Sequence, residues 1–198
     1  GKSEAVASIG GSGGTIRNGL VSSSSTLYVG GGASGTSSAS YAGAITNGNG
    51  TLAVTKEGSG TQTFTGALTY TGDTTVNGGT LTLDTASSLR GTLGNSGATN
   101  KVLGTGAVNF NGTFKLGLSG VSDSTGTWSL VNVGTLTESF TGSFAVVDNS
   151  GTLTFTDNSG VWTSSDNRWS FDQSTGVLTL SAAAIPELDW EPKPSPLR

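Results

Sequence analysis

Four carboxylates in the last third of the chain, Asp148, Asp157, Asp166 and Asp172, are the residues best placed to do chemistry. Glycoside hydrolysis needs two such groups, one as acid and one as base or nucleophile. All four stand beside Asn, Ser or Gly, where Asp makes local bonds to the backbone of a turn. Asp123 and Glu138 lie elsewhere in this half, with no apolar run that could form a pocket and raise a carboxyl pKa. Two Asp-Asn-Ser-Gly stretches, at 148–151 and 157–160, carry oxygen ligands of the kind calcium takes. Neither fits an EF-hand loop or the Gly-Gly-x-Gly-x-Asp nonapeptide, so loop closure accounts for them. Cys, His and Met are absent, which removes thiol nucleophiles, imidazole bases and disulfides. No Ser-Lys pairing stands at a catalytic spacing, and no Gly-rich stretch joins a strand to a helix. The expectation is a chain with no catalytic residues, no cofactor and no metal.

Partners are bounded in the same way. The net charge is −4 and the sequence shows no basic cluster, so nucleic acid and anionic membrane surfaces are not expected partners. No apolar stretch approaches the length of a membrane span. The N-terminus has no charged region followed by an apolar run and reads as a mature end. Sugar remains: Trp162 and Trp169, with Tyr70, could stack on a pyranose ring, although core packing is the commoner use of aromatics.

These residues must be held by strands. Gly, Ser, Thr and Asn make up just over half of the 198 residues. Thr favours strands, and the apolar residues alternate, which argues against a disordered linker. Residues 1–50 are a Gly/Ser-rich segment that reads either as a flexible arm or as irregular rungs. From Thr51 the alternation is clear. Leu52 and Val54 share one face, and Phe64, Val76, Leu81 and Leu83 are expected in the core with Thr82 turned out. Short strands broken by Gly and Asn at corners suit a solenoid over 51–118. Asn111-Gly112, between two alternating runs, predicts a hairpin. Over 119–184 short runs around Trp128, Phe144, Phe155, Trp162, Trp169 and Leu178 are joined by tight turns. They predict antiparallel strands that cap one end of the solenoid.

Residues 52–83 resemble the autotransporter-associated β-strand repeat of bacterial surface proteins. Lys56, Gly58, Gly60, Gly66, Tyr70, Thr71, Gly72, Thr75, Val76, Gly79, Leu81 and Leu83 occupy matching positions, while Glu57 and Gln62 depart from the pattern. The resemblance implies a right-handed parallel β-helix and an extracellular location, and no reaction. The block from Trp169 through Gly176-Val177-Leu178-Thr179 to Ile185-Pro186-Glu187 resembles the C-terminal region of verrucomicrobial-type exported proteins with a Pro-Glu-Pro sorting signal. Leu188 replaces the second Pro, and no membrane segment or basic end follows.

Residues 185–198 hold all four prolines and form an extended tail in this reading. It is either a frayed end or an arm for self-association, with Trp190 as anchor among Pro192, Pro194 and Pro196. Together these features predict an all-β chain: a right-handed parallel β-helix with an antiparallel β cap and a Pro-rich tail. The expected role is a non-catalytic extracellular structural protein, a homo-oligomer or polymer in a surface fibre or matrix. An adhesin or glycan-binding passenger domain is the alternative.

Overall fold

The computed structural model describes residues 2–32, 34–133 and 138–183. The chain is all-β and winds through about five solenoid turns before an antiparallel sheet. The first strands are β1 (Glu4–Val6) and β2 (Thr15–Asn18). The next turn holds β3 (Ser24–Val29), β4 (Ala39–Tyr41) and β5 (Ala44–Gly48). It is followed by β6 (Thr51–Lys56), β7 (Thr61–Phe64) and β8 (Ala67–Leu68). Then come β9 (Thr74–Val76), β10 (Thr80–Leu83) and β11 (Ser88–Gly94), with the short β12 (Gly97–Thr99) folded back on β11. Next are β13 (Val102–Gly104), β14 (Ala107–Phe110) and β15 (Thr113–Gly120). After β16 (Gly126–Ser129), the coil ends with β17 (Val131–Asn132), β18 (Glu138–Phe140) and β19 (Ala145–Asp148). Last come β20 (Phe155–Asn158), β21 (Val161–Ser164), β22 (Trp169–Asp172) and β23 (Val177–Leu180).

Three parallel sheets form the coil. Sheet A runs β1-β3-β6-β9-β13-β17, sheet B runs β4-β7-β10-β14-β18, and sheet C runs β2-β5-β8-β11-β15-β19. Because each strand pairs with its counterpart one turn away, equivalent residues stack as ladders. Ile16, Ile45, Leu68, Leu89, Phe114 and Val146 form the inner ladder of sheet C. Tyr41, Phe64, Leu83, Phe110 and Phe140 do the same in sheet B. Phe64, Val76, Leu81 and Leu83 are fully buried and Thr82 is half-buried on the other face, as the alternation predicts. Period-2 burial gives each turn one apolar side, and stacking makes it continuous.

Of the two readings of residues 1–50 the rungs hold: the segment contributes β1–β5 to the same three sheets, with sheet B starting only at β4. Two expectations change. Asn111-Gly112 is a corner and not a hairpin, because β14 pairs with β10 and β18 while β15 pairs with β11 and β19. A type I′ turn needs positive φ at both central residues, and neither has it. Within 119–184, β17, β18 and β19 join sheets A, B and C in parallel and extend the solenoid. The antiparallel cap is sheet D, in the order β16-β23-β22-β21-β20. Its Phe171 lies over Phe114, Phe140 and Phe144, with ring centroids 5.6, 6.2 and 6.1 Å away.

Candidate functional site

Polar residues in the inner ladders are the first place to look for chemistry. Lys56 stands between Val29 and Val76 in sheet A and is buried. Its Nζ donates to the carbonyl oxygens of Glu57, Gly58 and Gly78, at 2.5, 3.2 and 3.3 Å. Burial lowers the pKa of this ammonium, and its partners are backbone dipoles. The group ties together the corners of two successive turns. Gly58 lets this corner pack closely on the preceding turn: its φ is +66°, and a Cβ there would lie 2.2 Å from the Gly35 carbonyl oxygen.

A second polar cluster bridges two further turns. The Tyr70 hydroxyl meets Thr74 Oγ1 at 2.6 Å, and Thr74 Oγ1 donates to Asn100 Oδ1 at 2.8 Å. Asn100 Nδ2 closes the circuit by donating to the Tyr70 carbonyl at 2.9 Å. Burial raises the Tyr70 pKa far above its usual value, so the phenol stays protonated. Gln62 is likewise buried and uses its amide as a strand would. Nε2 donates to the Ile9 carbonyl at 2.9 Å, and Oε1 accepts from the Ile9 N–H at 3.1 Å. These groups satisfy one another and stabilise corners.

The four Asp residues are engaged in their own turns. Asp157 accepts from the Gly160 N–H, Asp166 from Arg168 N–H and Ser164 Oγ, and Asp172 from Ser174 N–H and Oγ. Asp148 accepts from the N–H and hydroxyl groups of both Ser150 and Thr152. Burial opposes ionisation of Asp148, but these four donors outweigh it and hold the carboxyl below its usual range. Asp172 is lowered as well, chiefly by the Ser174 hydroxyl. A carboxylate whose native pKa is depressed adds stability above its unfolded value of about 3.9, and that stability is lost as pH falls through the native value. Acid titration followed by near-ultraviolet circular dichroism should therefore show cap loosening below about pH 4. Asp148→Asn and Asp172→Asn should flatten that acid limb, and an unchanged limb in both would remove these turns as its cause. Among the described residues, no three His, Cys, Asp or Glu side chains gather as metal ligands.

The aromatic candidates divide. Trp169 is buried, 7% exposed, and packs on Trp128 at 5.6 Å, which corrects the expectation of a sugar-stacking face. Trp162 is half-buried. Its edge-on contact with Phe144 is 5.8 Å, and its Nε1 donates to Gln173 Oε1 at 3.1 Å. Trp190, Pro192, Pro194 and Pro196 lie outside the described residues.

One constellation escapes any reading by sequence proximity. On the outward face of sheet C, Arg17 pairs with Thr46, and Arg90 pairs directly with Lys115. Stacking puts all three cations in one column, and all are exposed. The neighbouring column is small: Thr15, Ala44, Ala67, Ser88, Thr113 and Ala145. The only carboxylate on the strands of this sheet is Asp148, which is buried in its own turn. Thr46 and Thr69 hold the same position on the two turns between Arg17 and Arg90, so the column is legible only once the register is known.

A family model described as the passenger-associated-transport-repeat matches residues 54–83. That span runs from within β6 through β10, about one and a half turns of the coil. No curated protein and no solved structure matches the chain.

Proposed function

We propose that the chain is a non-catalytic, extracellular structural module of passenger type, which associates with further copies in a surface fibre or matrix. The observation that carries this reading is the placement of the passenger-associated repeat: residues 54–83 form about one and a half regular turns within the parallel coil. A repeat used as a building turn, with its polar groups spent on stacking corners, supports a scaffold role. The Pro-rich tail from Pro186 to Arg198 supplies an arm for assembly in this reading, with Trp190 as its anchor.

Sedimentation and negative-stain microscopy across a concentration series test the assembly. Extended or multimeric particles are expected, and deletion of residues 186–198 should return a folded monomer. Dispersed monomers at high concentration would overturn the assembly. Normal assembly by the truncated chain would remove the tail from it.

A further inference from the structure

We propose that the outward face of sheet C binds a linear acidic polysaccharide, whose carboxylates run along Arg17, Arg90 and Lys115. Neighbouring strands lie about 4.8 Å apart, so the column from Arg17 to Lys115 spans roughly 19 Å across the sheet. Arg90 and Lys115 are closer than the Debye length of about 8 Å at physiological salt and present one field. The rest of the chain is net acidic, with Asp148, Asp157, Asp166 and Asp172 at and beyond the last turn. The column is therefore a positive stripe on an otherwise acidic chain, to which a polyanion is drawn.

Arg90 and Lys115 stand directly opposite each other on adjacent strands. Like charges directly opposite on adjacent strands destabilise a sheet. Here no described carboxylate within ion-pair reach relieves the repulsion. A bound carboxylate would relieve it, and the Arg90 fork can hold one through two hydrogen bonds. Beside the cations, the column of small residues forms a shelf. There Thr15, Ser88 and Thr113 offer hydroxyls to sugar oxygens, and Ala44 and Ala67 let the chain lie close. A ribbon-like polyuronate laid across the strands meets both columns at once. Duplex DNA, which tight binders hold through about 6–10 phosphate contacts, is poorly served by three cations. This inference goes beyond the assembly reading and does not depend on it.

The test is titration of the full chain with a polyuronate, with neutral dextran, duplex DNA and anionic phospholipid vesicles as comparators. Binding to the polyuronate should weaken at least tenfold in the Arg17→Gln, Arg90→Gln, Lys115→Gln triple variant and about threefold in Lys115→Gln alone. It should change less than twofold in Lys101→Gln, which removes the same charge elsewhere, and should fall as salt is raised. The thermal midpoint of Lys115→Gln should equal or exceed the parent's, which separates a binding role from a structural one. If the triple variant does not fold, the single variant with parent-like circular dichroism decides. The proposal is overturned by no polyuronate binding, by undiminished binding in the folded variants, or by equal loss in Lys101→Gln. Binding of DNA, vesicles or dextran as tight as that of the polyuronate would overturn it too.

Discussion

Replacing Phe171 by Ala should destabilise the chain by about 3–5 kcal/mol, the range for removing a fully buried Phe from a core that only partly collapses. Phe171 is 0% exposed and packs where sheet D meets the last turns of the coil. Its ring contacts those of Phe114 and Phe140 edge-on and that of Phe144 at a tilt. Truncation would remove three ring contacts together and leave a cavity between cap and coil. Urea denaturation followed by tryptophan fluorescence reports on this region, because Trp128, Trp162 and Trp169 all lie in sheet D. Ser170→Ala, at the adjacent half-buried position, should change stability by less than about 0.5 kcal/mol. Equal losses at the two positions would mean that Phe171 does not hold the cap.

The second large effect is expected at Lys56. Met keeps most of the length and volume of the side chain and removes the ammonium, so Lys56→Met isolates the hydrogen bonds from the packing. Two effects oppose each other. Burying a charge without a carboxylate partner is costly, and an apolar replacement avoids that cost. Against this, the carbonyls of Glu57, Gly58 and Gly78 lose their shared donor in a corner too crowded, at Gly58, to admit even a Cβ. Hydrogen bonds to charged groups contribute about 1.5–3 kcal/mol each, and orphaned buried acceptors carry a penalty of similar size. The carbonyl side wins, and a net loss of about 2–4 kcal/mol is expected by chemical denaturation. A Met variant as stable as the parent would show that the corners hold without the ammonium.

The coil was legible where local chemistry sets local structure. Alternation placed Leu52, Val54, Phe64, Leu81 and Leu83 on one face, and the structure buries all five. The same alternation puts Lys56 in phase with Leu52 and Val54, and Gln62 in phase with Phe64. Their polar ends disguise inward positions whose partners are backbone groups. Strand pairing was less legible, because it depends on which edges are free. Asn111-Gly112 has hairpin chemistry, but the strands on either side already pair with the turns before and after. Residues 131–148 look like cap strands for the same reason: short strands between turns read alike whether the next partner lies beside them or one turn back. The cation column needed register across β2, β5, β8, β11 and β15, which no local pattern contains.

The chain leaves the coil repeatedly at one corner, between sheets C and A. There β12 folds back on β11, β16 departs after β15, and the rest of sheet D follows β19. The Trp128 indole of β16 donates to the Gly94 carbonyl at 3.0 Å, joining two of these departures to each other. The first two excursions return the backbone to the next strand of sheet A, at β13 and β17, without disturbing parallel register. Loop closure grows more costly only slowly with length, by about 0.6 kcal/mol per doubling. The corner is thus an insertion port: a lineage can lengthen it, or an engineer graft a foreign segment there, while the ladders on either side stay aligned.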